Sequence, residues 1–198
     1  MLGACTTDDQ PPGPATVPEP ERQALPTGEE DEDRLIKVNV YYLHPYIQGI
    51  FPREKMIFKT ERVEDLVKQV IDHLTIAPSD GFGSPVWPEL TYIREVYALG
   101  DGTLVVDFNG QFINNLQVSI VEEELLVYSL VNTLLEHFEQ FKKVHILVDG
   151  SVQETLLGHI DIEFPLAAGG WQYVIRPEDQ PYEEIEVEEL GPITEKQL

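Results

Sequence analysis

The residues of this chain best suited to acid/base or metal chemistry are its five histidines: His44, His73, His137, His145 and His159. None has a second His or a Cys at ligand spacing, and no H-E-x-x-H occurs. The next candidates are two carboxylates, Asp107 in Asp107-Phe108-Asn109-Gly110 and Asp161 in Gly158-His159-Ile160-Asp161. They would approach each other across a sheet, and paired-carboxylate hydrolysis needs two such groups with separated pKa values. Aspartate is also a routine residue of turns and strand ends, and that structural reading is preferred. The glycines form no phosphate loop, the serines lie in no G-x-S-x-G, and no D-x-D-x-D-G calcium loop is present. No catalytic residue, metal site or cofactor is therefore expected. Trp87, between Pro85 and Pro88, is either a lid on the core or an exposed recognition knob. The aromatic set Tyr41, Tyr42, Tyr46, Phe51 and Phe58 suits a sheet core or its edge better than a sugar platform.

The elements that must position these residues follow from hydrophobic period. Alternation over LIKVNVYYLH, 35 to 44, predicts a half-buried strand, and Met56-Ile57-Phe58 a second, weaker one. Val63, Leu66, Val67, Val70, Ile71 and Leu74 recur at helical spacing, with Thr60 as the expected N-cap. Strand-like runs at 91 to 98 and 103 to 108 flank Gly100-Asp101-Gly102, a hairpin signal. Ser119-x-x-Glu122 is a capping box that opens a long second helix, with Val121, Leu125, Tyr128, Val131, Leu135 and Phe138 as its apolar stripe. A buried strand follows at 143 to 148, then a turn at Asp149-Gly150 and a short strand near 152 to 157. Trp171, Tyr173 and Ile175 alternate and suggest an added edge strand or staple. The fold class is α+β with a β-α-β-β-α-β-like order, two helices packed on one face of a mixed sheet.

Charge divides the chain into three. Of 198 residues, 36 are acidic and 13 basic, a net charge of -23. Residues 1–34 hold nine acids and six prolines, and residues 170–198 hold eight acids. This gives an acidic Pro-rich tether at 1–34, a domain at 35–169 and an acidic tail at 170–198. The acidity argues against nucleic acid and anionic lipid headgroups as partners. No apolar run reaches the roughly 18–20 residues that cross a bilayer.

The middle of the chain resembles the GerMN domain, a module of sporulation and germination proteins and of many bacterial envelope lipoproteins. The resemblance rests on Pro88, Val106-Asp107-Phe108, Val131-Asn132-Thr133-Leu134, Val148-Asp149-Gly150 and Gly158-His159-Ile160-Asp161, matched in that order over about residues 37–166. It implies an α+β fold similar to ring-building modules and a non-enzymatic, extracytoplasmic scaffolding or protein-interaction role. The residues expected to carry binding or interaction are Trp87, Asp107, Asn132, Asp149, His159 and Asp161. Expected partners are envelope proteins, further copies of the chain, or peptidoglycan. The alternative is a peptidoglycan- or sugar-binding module whose 75–89 loop and Trp87 line the site. One departure from the family pattern is the acidic helix entry, Asn114-Asn115-Leu116-Gln117-Val118-Ser119 followed by Ile120-Val121-Glu122-Glu123-Glu124.

The family also bears on the sole cysteine, which has no partner for an internal disulfide. Leu2-Gly3-Ala4-Cys5 reads as a lipobox, with Cys5 as the lipidation site. Such a box expects a basic, apolar leader upstream of Met1. Contact of the protein with a membrane is then expected only through that lipid.

Overall fold

The computed structural model describes residues 34–176. The expectations for Cys5 and the tether, and for the tail past residue 176, lie outside the described residues. Among the described residues, two helices and six strands follow in the order β1 (Leu35–Leu43), β2 (Ile50–Phe58), α1 (Val63–Leu74), β3 (Ile93–Ala98), β4 (Thr103–Phe108), α2 (Ile120–His137), β5 (Lys143–Val148) and β6 (Ser151–Val152). Each strand follows from its residues. In β1, Val38, Val40 and Tyr42 point into the core while Lys37 and Asn39 are exposed. β4 is buried along its whole length because strands flank it on both sides.

The α+β class with two helices and mixed strands is observed. The strands, however, divide into two sheets rather than one. β1 and β2 form an antiparallel hairpin of their own, and the second sheet has the order β3-β4-β5-β6. Within it, β4 and β5 are parallel and joined by α2, whereas β3 and β6 pair antiparallel at the two ends. The reason lies in α2. Besides the expected stripe, Leu126, Val127, Leu130 and Leu134 are also buried, so this helix is apolar over most of its circumference. It is covered by β1, by α1 and by β5, and it forms the centre of the protein rather than one side of it.

Both outer edges of the β1–β2 hairpin are occupied. On the β1 side, the Tyr41 N–H donates to Thr133 Oγ1 (3.1 Å). Asn39 Nδ2 and the Tyr41 hydroxyl donate to the two oxygens of Glu136 (2.8 and 2.9 Å). Leu43 exchanges backbone bonds with Ser84 (2.9 and 3.1 Å). On the β2 side, the Gln69 side chain pairs with the backbone of Phe58 in both directions (2.8 and 3.0 Å), and the Ile175 N–H donates to Ile50 (2.8 Å). Covering unpaired edges in this way prevents uncontrolled strand addition.

Several local features differ from the sequence reading. Helix α1 is capped at Arg62, two residues after the expected Thr60, without a side-chain bond, and Thr60 instead donates its hydroxyl to the Arg62 carbonyl (3.0 Å). The capping box of α2 forms as read, with Ser119 Oγ accepting from the Glu122 N–H and Glu122 accepting from the Ser119 N–H (3.3 and 2.7 Å). β6 is two residues long and adjoins a two-residue turn, Asp149-Gly150, with both φ angles positive (51° and 76°). The alternation at 171–175 does not produce a strand. Trp171–Tyr173 forms a single 3-10 turn, Val174 bridges Ile50, and Ile175 enters the core, so the stretch acts as a staple and the packed body runs to Ile175.

Candidate functional site

The motif residues sort into three clamps, each joining elements distant in sequence. The first lies at the carboxyl ends of the parallel strands. Asp107, at the end of β4, accepts from the Gly150 N–H in the turn after β5 (2.8 Å). Asp149, in that same turn, accepts from the Gly110 N–H just after β4 (3.2 Å). The two carboxylates thus cross, each holding the loop that leaves the other's strand. Arg94 Nη1 lies 3.7 Å from Asp107 and 3.6 Å from Asp149 and is electrostatically paired with both. Asp107 is buried and Asp149 exposed.

The second clamp was not anticipated. Glu123, in the first turn of α2, has no exposed surface. One carboxylate oxygen accepts from the Leu157 and Ile160 N–H groups (2.8 and 3.1 Å). The other accepts from the His159 N–H (2.9 Å) and lies 2.8 Å from His159 Nδ1. His159, an expected interaction residue, is therefore turned inward at its Nδ1 side and acts on the fold. Gly158, with φ of 109°, supplies the backbone bend that aims these donors at one point. Burial of an ionised side chain is tolerable only with such a full set of donors, and the helix N-terminus adds favourable field.

The third clamp is Asn132. Its side chain is buried and makes a paired bond with Gly169, donating to the carbonyl (2.9 Å) and accepting from the N–H (3.1 Å). Residue 169 must be glycine for this approach, because a Cβ there would lie 2.6 Å from the Tyr128 ring.

The remaining expected residues are placed elsewhere. Trp87 is 1 % exposed, stacks on Phe108 at 4.8 Å and donates its indole N–H to the Leu126 carbonyl (3.0 Å) and to Ser129 (3.2 Å). It is the lid on the core, and the reading as a surface knob is corrected: the ring's apolar faces are consumed by Phe108 and Phe112. Asp161 is exposed and accepts from the Glu163 N–H (2.9 Å) in a local turn. It shares no partner with Asp107, so the carboxylate pair across the sheet does not form. Of the aromatic set, Tyr41, Tyr42 and Phe51 are buried, while Tyr46 and Phe58 are exposed.

Protonation follows these environments. His44 is nearly buried between Phe51 and Phe82, and its Nδ1 accepts from the Tyr46 and Ile47 N–H groups (3.2 and 3.1 Å). Burial lowers its pKa, and burial likewise lowers those of His73 and His137 at the helix ends, opposing the charge that the helix dipole would favour there. Burial raises the Tyr42 hydroxyl to about 12. No three metal-ligating side chains converge among the described residues.

Beside the crossed aspartates lies an open depression of about 600 Å³. Its rim carries the amides of Asn109, Gln111 and Gln153, and its apolar lining comes from Ile113, Val148 and Leu156.

The Germane family, described as sporulation and spore germination, matches residues 39–154. Among solved structures, tandem GerMN domains of the sporulation protein GerM from Bacillus subtilis align with a TM-score of 0.54 at 22% identity over 67% of this chain, which spans 46% of that chain. The first GerMN domain of the same protein aligns at 0.51 and 23% identity, covering 67% of this chain and 97% of that one. A putative lipoprotein from Clostridium perfringens aligns at 0.48 and 21% identity, covering 71% and 93%. No curated protein matches significantly. Among the described residues, no helix is long and apolar enough to cross a membrane.

Proposed function

The chain belongs to the Germane family, described as sporulation and spore germination, and on that premise we propose that it is a non-enzymatic cell-envelope lipoprotein whose domain works by contact with other proteins. The observation that carries this reading is the use made of the motif side chains. Asp107, Asp149 and Asn132 are directed at backbone groups of neighbouring loops, Glu123 is spent on the same task, and the His159 ring turns inward to Glu123. A domain built this way presents fixed surfaces. Its partners are envelope proteins or further copies of the chain. The domain is held outside the cytoplasm by lipid on Cys5, with the acidic, proline-rich residues 1–34 as spacer. Lipid supplies membrane affinity at about 0.8 kcal/mol per buried methylene, and the chain's charge of -23 opposes any other approach to anionic headgroups.

Two measurements test this. Membrane fractionation of the natural protein and its Cys5→Ala variant should find the first with membranes and the second released; co-fractionation of the variant removes the anchor. Sedimentation of the wild type over a wide concentration range, with and without detergent-extracted envelope proteins, should show complexes heavier than one chain. A single unassociated species throughout removes the contact role. The alternative of a sugar-binding module based on Trp87 loses its platform, since that ring is buried.

A further inference from the structure

We propose that the depression beyond the carboxyl ends of β4 and β5 binds a neutral glycan that carries acetamido groups. The site is separate from the protein-contact reading above and uses different residues from those that form the clamps, apart from Gly110 and Asp149. Open sheets place ligands outside the carboxyl ends of parallel strands, and β4 and β5 are the parallel pair of this fold. A volume of about 600 Å³ falls in the usual range for small-ligand sites.

The lining chemistry selects the ligand class. The lining holds no lysine, arginine or histidine, and the protein as a whole is strongly negative, so an anionic ligand has no counter-charge here. Its single acid, Asp149, is already engaged by the Gly110 N–H and by Arg94, which leaves no spare charge for a cation. What remains is neutral and hydrogen-bonding. The side chains of Gln111, Ser151 and Gln153 make no hydrogen bond among the described residues, and each amide offers both donors and an acceptor. Sugar hydroxyls and an acetamido group present the same mixture. The apolar lining, including Ile113, receives the acetamido methyl and the C–H face of a ring. The crossed Asp107 and Asp149 bonds hold the two loops that form the walls, so little ordering accompanies binding. A peptide would instead add along a strand edge, and this depression faces strand ends.

A few hydrogen bonds in an open site correspond to a Kd on the order of 1 mM. The test is titration of the 15N-labelled full chain with the tetramer of N-acetylglucosamine, and with cellotetraose as the sugar lacking acetamido groups, to about 10 mM. The expected result is amide shifts confined to 109–113 and 148–156 with the N-acetylglucosamine tetramer, much smaller ones with cellotetraose, and a loss of affinity of about tenfold in Gln111→Ala/Gln153→Ala. The spectrum of that variant away from the depression should be unchanged, since these side chains support nothing else. Absence of shifts, shifts elsewhere, equal shifts with cellotetraose, or unaltered affinity in the double variant would each overturn the proposal.

Discussion

Replacing Glu123 by Gln should destabilise the protein more than any other isosteric change at a charged residue. The two carboxylate oxygens each receive two donors, from Leu157 and Ile160 on one side and from the backbone and ring of His159 on the other. An amide presents one oxygen and one NH2. Turned toward Leu157 and Ile160, its NH2 meets two backbone donors; turned toward His159, it meets the backbone N–H, and the ring nitrogen must change tautomer to accept. Hydrogen bonds to a charged group contribute about 1.5–3 kcal/mol each, and breaking a buried charged arrangement costs about 3–5 kcal/mol, so roughly 3–5 kcal/mol is expected. For a packed body of this size 1 kcal/mol corresponds to about 3–4 °C, which places the fall in Tm at about 9–20 °C. The assay is urea unfolding by circular dichroism at pH 7, supported by hydrogen exchange, in which Leu157, His159 and Ile160 should lose protection first. A cycle with His159→Ala separates the ring from the backbone donors, and a coupling of about 1 kcal/mol between the two positions is expected. A loss below about 1 kcal/mol for Glu123→Gln, with protection at 157–160 intact, would refute the argument that this carboxylate holds the loop.

Three further outcomes follow from the same geometry. Asn132→Ala leaves the Gly169 N–H and carbonyl without their partner, and a loss of about 1–3 kcal/mol is expected, read as a shift in urea midpoint at constant m-value. Asp107→Asn removes the charge opposite Arg94 while keeping an oxygen for Gly150, so it should cost less, about 1–2 kcal/mol, and equal melting of this variant and the wild type would show that the crossed clamp is inert. His44 must be neutral to accept two N–H groups, and its folded pKa is lowered by burial. Its contribution is therefore present above the unfolded pKa of about 6.5 and declines as pH falls below it, by at most about 1.4 kcal/mol per pH unit. His73 and His137 act with the same sign, so the measurement is the difference in stability between pH 7.5 and 5.5 for the wild type and for His44→Gln; an identical difference in both would exclude His44 as a contributor.

How much of this was legible in the sequence depended on range. The capping box at Ser119 and the Asp-Gly hairpin turns are local chemistry, complete within four residues, and they form as read. The division into two sheets was hidden because strand partners are set by what covers α2 from the other side. The hint was the breadth of its apolar surface, with Leu125, Leu126, Val127, Leu130, Val131 and Leu134 too many for one stripe. Glu123 was hidden among three consecutive acids that look alike. Glu122 caps the helix, Glu124 accepts from Gln172 at the surface (2.7 Å), and only Glu123 is enclosed. Spacing held the signal: Glu123 is four residues before Val127 and seven before Leu130, both fully buried, so an acid sat on the apolar line. Trp87 was undecidable locally, since Pro-rich flanks permit either orientation and the stack on Phe108 is a long-range fact.

The family match stops at residue 154, yet both inner clamps of α2 reach beyond it, Glu123 to 157–160 and Asn132 to 169. These helix positions and that later stretch therefore form one structural unit. A relative in which the stretch has been shortened would hold an enclosed acid and amide with nothing to grip, and selection should replace both by aliphatic residues. Where the two polar residues are kept, a matching return segment should be found downstream, however far its own sequence has drifted.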